Sequence, residues 1–224
     1  MKKNLIYKNT LSCAEDVKDF ILEGQAQISF DNGYMQLKNA LDAEQGQNAN
    51  YVFWCPVSFP ADIEIDWEFK PLSSTGLCIM FFAALGCDGS DIFSPHLQKR
   101  TGPYVQYHSG DINAFHVSYF RRKEPDEKAF HTCNLRKSRG FHLVCQGADP
   151  IPDYNDVQDF YRISIIKLDS DVSFSINGLN LFTYHDDGRT YGPLLQGGKI
   201  GFRQLAPLAA AYRNLEVFSL SDQR

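Results

Sequence analysis

Asp171-Val172-Ser173-Phe174-Ser175-Ile176-Asn177-Gly178 is the stretch that decides the fold. In an extended chain successive side chains point to opposite sides, so Val172, Phe174 and Ile176 share one face and Ser173 and Ser175 the other. Asn177-Gly178 then supplies the positive φ angles of a tight turn, and the stretch reads as a half-buried antiparallel strand entering a hairpin. Glu64-Ile65-Asp66-Trp67-Glu68-Phe69 alternates in the same way, with Ile65, Trp67 and Phe69 on one face and three carboxylates on the other. Ala26–Phe30 and Tyr34–Lys38 flank Asp31-Asn32-Gly33, a second hairpin signal.

Working outward, strands are expected at Tyr51–Trp54, Ile63–Phe69, Leu77–Ala83, Asn113–Arg122, Phe130–Leu135, Phe160–Lys167, Leu179–Tyr184, Lys199–Gln204 and Tyr212–Ser219. Near the start, Ser12-Cys13-Ala14-Glu15 has capping-box spacing, Val17, Phe20 and Ile21 follow at helical intervals, and Gly24 can end the turn. The expected fold is all-β, an antiparallel jelly-roll sandwich with polar outer faces and one short N-terminal helix. The chain of 224 residues is 43% hydrophobic and shows no linker, repeat or low-complexity tract, so a single domain over 1–224 is expected.

The formal net charge of −5 argues against a general nucleic-acid binder. No segment approaches a membrane span, and the N-terminus lacks a signal h-region. Six cysteines (Cys13, Cys55, Cys78, Cys87, Cys133, Cys145) show no CxxC spacing and read as free, mostly buried thiols. A cytoplasmic location is the expectation that follows.

The segment from Lys99 to Phe141 concentrates Arg100, Tyr104, Tyr107, His108, Asp111, Asn113, His116, Tyr119, Arg122, Arg136 and Arg139. Lys99-Arg100, Arg121-Arg122-Lys123 and Arg136-Lys137-Ser138-Arg139 make it locally basic within an acidic protein. Each basic run alone reads as a solvated loop, but their convergence suits a polar, anionic ligand. Alternation from Asn113 places His116, Ser118 and Arg122 on one face with Phe120, and Phe115, Val117 and Tyr119 on the other. His108 or His116 could act as general base or acid, Tyr107 or Tyr119 as a phenol partner, and arginines as a carboxylate clamp, with Asp111 beside them. Trp54, Tyr104 and Tyr107 are the aromatics that could stack on a sugar face, and Trp54, before Cys55-Pro56 at a strand end, is expected to be exposed. The plain alternative is that one histidine caps a loop and the other is a satisfied sheet residue.

The last third carries Tyr161-Arg-Ile-Ser-Ile-Ile-Lys, Val172-Ser-Phe-Ser-Ile-Asn-Gly, Gly198-Lys-Ile-Gly-Phe-Arg and Tyr212-Arg-Asn-Leu-Glu-Val-Phe. This cadence resembles the closing strands of concanavalin A-like lectin/glucanase sandwiches. With Tyr51-Val-Phe-Trp-Cys-Pro, Tyr107-His-Ser-Gly-Asp-Ile-Asn-Ala, Ser118-Tyr-Phe-Arg-Arg-Lys, Thr132-Cys-Asn-Leu-Arg-Lys-Ser-Arg-Gly-Phe-His-Leu and Asp186-Asp-Gly-Arg-Thr-Tyr-Gly-Pro, the chain resembles the YesU family from Lys18 onward. That family comprises bacterial proteins associated with pectin (rhamnogalacturonan) utilisation. The resemblance implies a concanavalin A-like sandwich and a carbohydrate-related role, but no established reaction.

Glu64-Ile-Asp-Trp-Glu68 also matches the E-x-D-x-E string of laminarinase-type glycoside hydrolases, which would make Glu64 the nucleophile, Asp66 its modulator and Glu68 the acid. Retention needs the two carboxyls about 5–5.5 Å apart, whereas four strand residues span about 13 Å. Acidic residues alternating along a wet strand face are the competing explanation. Asp88-Gly-Ser-Asp91 and Asp186-Asp187-Gly188 could hold a structural calcium, but turn chemistry explains them and no metal site or other cofactor is expected.

The expected function is therefore cleavage of oligosaccharides from plant cell-wall polysaccharide, by hydrolysis or by β-elimination of a uronate-containing sugar. The alternative is a non-catalytic, lectin-like protein that binds the same sugars.

Overall fold

The computed structural model describes residues 2–221. Two antiparallel sheets face each other across one core. The first sheet runs β13 (Leu179–His185), β12 (Asp171–Ile176), β11 (Tyr161–Leu168), β6 (Ile63–Pro71), β15 (Ala209–Ser221), β4 (Tyr34–Asn39), β3 (Ala26–Asp31), with β1 (Lys2–Asn9) also paired to β15. The second runs β10 (His142–Ala148), β9 (Thr132–Lys137), β8 (Ile112–Tyr119), β7 (Leu77–Gly86), β14 (Lys199–Leu205), β5 (Tyr51–Trp54), β2 (Ile21–Glu23). Two short helices interrupt the strands, α1 (Val105–His108) and α2 (Pro125–Ala129).

The alternation of the opening stretches fills the space between the sheets. Ile65, Trp67 and Phe69 of β6 and Val172, Phe174 and Ile176 of β12 meet Met80, Phe82, Phe115, Val117 and Phe202 of the second sheet. Each such side chain contributes about 1.5–3 kcal/mol on burial. β7 reads Leu-Cys-Ile-Met-Phe-Phe-Ala-Ala-Leu-Gly, apolar without alternation, because both its faces are covered. Cys78, Met80 and Phe82 enter the inter-sheet core, while Ile79 and Phe81 join a second cluster outside the sheet.

That second cluster corrects the expectation of two polar outer faces. The connection from β7 to β8, residues 87–111, folds back over the second sheet and brings its own Ile92 and Tyr107 down onto Val52, Trp54, Phe81 and Ala114, burying all six. Trp54 is 0% exposed, so it is no platform at a rim; its indole N–H donates to Glu23 Oε2 at 2.9 Å.

The N-terminal helix is also corrected. Only Ala14–Val17 form a 3₁₀ turn, and Ile21 begins β2. Ser12 does not cap it; the Asp16 carboxylate instead accepts from Ser12 N (2.8 Å) and Thr10 Oγ1 (2.6 Å). β2 ends at Gly24 (φ +94°), where a Cβ would lie 2.6 Å from Asn50 O. β1, β10 and both short helices lie outside the expected elements. All six cysteines are free, with Cys55, Cys78 and Cys133 buried. Among the described residues no helix is long and apolar enough to cross a membrane.

Candidate functional site

Register decides which side chains share the outer face of the second sheet. His116 pairs with Arg136 and Phe81, and Phe81 with Gly201; one step along, Ser118 pairs with Asn134 and Ile79, and Ile79 with Arg203. His116, Ser118, Arg136, Asn134 and Arg203 therefore project from one surface. The 87–111 connection packs over this surface, leaving His116 1% and Arg203 0% exposed with Tyr104 and Arg136 half-buried, and places Tyr104 over His116.

Tyr104 and His116 form the centre. The Tyr104 hydroxyl lies 2.5 Å from His116 Nδ1, and Ser138 Oγ lies 3.2 Å from Nε2. Burial pushes the Tyr104 hydroxyl well above its ordinary range, against the pull of Arg203, Arg136 and Arg121. The phenol is thus protonated and donates to Nδ1, which leaves Nε2–H to donate to Ser138. Burial, then Arg136, His108 and Arg203, hold the His116 imidazole well below 6.5 and hence neutral. The ring stacks on Phe81 at 5.2 Å.

Positive charge surrounds the pair. Arg203 is fully buried, with its guanidinium 4.7 Å from the Tyr104 ring and 5.1 Å from the Tyr107 ring; it donates to Gly102 O at 2.7 Å. Burial lowers it to about 10, still charged at neutral pH. Arg136 lies 3.8 Å over the Phe141 ring and donates to Phe141 O at 3.0 Å. Among the described residues neither arginine has a carboxylate within ion-pair distance. Arg121, on the same side, is paired to Glu127 at 2.7 Å. His108 rests on Phe141 (4.6 Å) and Tyr104 (5.1 Å), and burial with Arg203 and Arg136 lowers its pKa.

Sequence-expected residues thus separate into three groups. Tyr104, His108, His116 and Arg136 come together. Asn113 and Arg139 line a different cavity, at the rim of the sandwich. The others are occupied structurally. Tyr119 points into the inter-sheet core and accepts from Trp67 Nε1 at 3.1 Å, so it reaches no surface. Arg122 is 1% exposed and bound to Asp149 (3.1 Å) and Ile151 O (2.8 Å). The cause is Phe120, whose φ of +45° breaks the strand alternation, sends its own ring into the core and turns Arg122 away from His116. Arg100 is buried against Glu23 at 2.8 Å, Tyr107 is buried with its ring against Trp54 and Phe81, and Asp111 accepts from Gln98 N at 2.6 Å.

Glu64, Asp66 and Glu68 lie on the outer face of the opposite sheet, and they are not simply wet. Glu64 pairs with Lys3 (2.6 Å), Asp66 with Arg162 (2.7 Å) and Glu68 with Arg213 (2.5 Å). Two of them are buried, Asp66 at 3% exposure. The double change Glu64→Gln, Glu68→Gln should leave turnover within about threefold of the parent; a loss of orders of magnitude with unchanged folding would move the active site to this sheet. The calcium-like turns use their oxygens internally: Asp88 faces His96, Asp91 pairs with Lys199, and Asp186 with Lys137.

Arg203 and Arg121 were not among the expected ligand residues. Arg121 stands in a basic run, whereas Arg203 sits in a strand whose only sequence signal was its fold cadence.

The histidine also sets a stability signature. Because the folded His116 pKa lies below 6.5, the unfolded chain binds a proton that the native chain excludes in the window below 6.5. Stability at this site is present above 6.5 and falls as pH drops through that window. Urea midpoints measured from pH 7.5 to 5 should decline in the parent and decline less in His116→Gln.

A family model for a domain of unknown function, DUF1961, matches residues 4–217. A Bacillus subtilis (strain 168) protein described as uncharacterized protein YesU is 54% identical over 212 residues, 95% of this chain and 94% of its own. The crystal structure of a Bacillus subtilis protein of unknown function with a galectin-like fold superposes with a TM-score of 0.93 at 52% identity, covering 97% of this chain and 98% of that one. At 11% identity, an endo-β-1,3-glucanase from Pyrococcus furiosus superposes with a TM-score of 0.63 over 99% of this chain and 96% of its own. The resemblance read from the sequence holds, and the fold is a concanavalin A-like sandwich.

Proposed function

The chain belongs to the DUF1961 family, and from that premise we propose that it is a carbohydrate-active protein that binds uronate-containing oligosaccharides of plant cell-wall origin and cleaves them by β-elimination. The observation that carries this reading is half-buried Arg136, without a carboxylate partner among the described residues, beside a tyrosine–histidine pair whose positive field the fully buried Arg203 reinforces from the Tyr104 ring. Such a site favours a ligand that brings its own negative charge. The galectin-like and glucanase-like superpositions make a sugar the fitting ligand class for this fold.

Elimination uses these groups in a balanced sequence. With the uronate carboxylate paired to Arg136, its C5–H becomes acidic. The Tyr104 oxygen takes that proton while its own passes to His116 Nδ1. The C5–H electron pair forms the C4–C5 double bond, the C4–O bond breaks, and the proton stored on His116 returns through Tyr104 to the leaving oxygen. Hydrolysis fits less well, because the three carboxylates of the E-x-D-x-E string are held in ion pairs on the other sheet. A lectin-like reading is favoured by one observation, that both ring nitrogens of His116 already have protein partners.

A panel of pectic oligosaccharides separates these readings. Elimination produces both new reducing ends and unsaturated-uronate absorbance, hydrolysis only the former, and saturable binding with neither supports a lectin. Arg136→Ala should weaken binding of acidic sugars roughly 10- to 100-fold, the loss of a charged hydrogen bond, with neutral sugars little changed. Equal effects on both classes would sink the uronate assignment.

A further inference from the structure

A cavity of about 350 Å³ opens at the rim of the sandwich, where Asn113 of β8, Lys137 to Arg139 at the end of β9, and His142 of β10 face the loop through Thr190, Tyr191 and Leu195. Its volume falls within the ~300–1,000 Å³ typical of small-molecule sites. It lies across the Ser138–Phe141 turn from Tyr104, because Asn113, Lys137 and His142 alternate to the opposite face of the sheet from His116 and Arg136.

Charge in this cavity is almost fully assigned. Lys137 Nζ is held by Asp186 at 2.7 Å and by Gly192 O at 3.0 Å. The nearby carboxylates are engaged too, Asp88 by His96 at 2.8 Å and Asp111 by Gln98 N at 2.6 Å. Arg139 is exposed and, among the described residues, has no ion-pair partner. A single guanidinium is therefore left facing the cavity mouth. Beside it the Tyr191 and His142 rings pack on each other, centroids 4.7 Å apart and 32° from parallel, an aromatic pair with polar edges that lines the cavity. Gly140 makes the arrangement possible: its φ is +105°, and a Cβ there would stand 2.2 Å from His142 Nε2. Only glycine lets the imidazole fold back against the turn.

We infer that this cavity is a second ligand site, for a single sugar acid whose ring packs against the Tyr191–His142 pair and whose carboxylate pairs with Arg139, with Asn113 and Thr190 offering polar contacts to hydroxyls. The ligand class rests on the function proposed for the Tyr104–His116 site; the residues do not, apart from Ser138, which lines the cavity and meets His116 Nε2.

The test is a titration of the intact protein with galacturonate, read from the ring signals of His142 and His108 in protein carrying ¹³C-labelled histidine. Assignment uses His142→Gln and His108→Gln. The expected result is a saturable shift of His142, with Kd raised about tenfold or more in Arg139→Ala and in Tyr191→Ala, and no shift with galactose. A His142 shift, with or without a His108 shift, that Arg139→Ala weakens supports the cavity. A His108 shift alone, a His142 shift that Arg139→Ala leaves unchanged, or no shift in either signal overturns the cavity site, while the Tyr104–His116 site is judged separately by the oligosaccharide assay.

Discussion

Tyr104→Phe lowers turnover of acidic oligosaccharides about 100- to 10,000-fold, the range for a lost proton-transfer group, with KM nearly unchanged. Phenylalanine keeps the ring over Arg203 and against Phe141, so packing and binding survive while the hydroxyl that faces His116 Nδ1 is lost. His116→Gln should fall by a similar factor, and the double variant should be no worse than the poorer single, because the two groups act as one relay. Steady-state kinetics on a uronate substrate check this. Full activity in Tyr104→Phe would remove the relay from the mechanism, and a loss confined to KM would recast Tyr104 as a binding residue.

The second large effect is on stability. Arg122 and Asp149 are buried together, with side chains 2% and 0% exposed, and the pair is completed by Ile151 O and Ile151 N. Burial raises the Asp149 pKa in spite of Arg122, so desolvation outweighs the attraction. Asp149→Ala alone leaves a buried guanidinium with only the exposed Asp153 carboxylate, 3.8 Å away, to offset it and should cost about 3–5 kcal/mol. The double change Arg122→Met, Asp149→Leu should recover most of that loss, since the uncompensated charge disappears with its partner. Denaturant unfolding of the three proteins decides the matter, and a double variant as unstable as the single would mean that shape rather than charge holds this corner.

The sandwich was legible because alternation is a local property. Val172, Phe174 and Ile176, or Ile65, Trp67 and Phe69, announce their buried face without reference to any other strand. The site was only half legible. Tyr104, His108, His116 and Arg136 stand out by residue type within one short segment, but Arg203 joins them solely through the register of β14 on β7, which no local pattern encodes. Trp54 misled for a related reason: whether an aromatic at a strand end is wet depends on what folds over it, and here residues 87–111 do, setting Tyr107 against it. Arg122 misled because one residue with positive φ, Phe120, reversed the parity of everything after it. β1 and β10 lack clear alternation, with exposed Leu5, Ile6 and Leu143 along them.

The two tryptophans of this chain sit in separate apolar clusters, Trp67 between the sheets and Trp54 beneath the 87–111 connection. Each is therefore an optical reporter of a different layer. Detachment of the connection alone would wet Trp54 and carry Tyr104 away from His116, while Trp67 stayed dark to the change. Under mild denaturant, emission from a Trp67→Phe protein should consequently track the loss of ligand binding, and emission from a Trp54→Phe protein the later collapse of the sandwich.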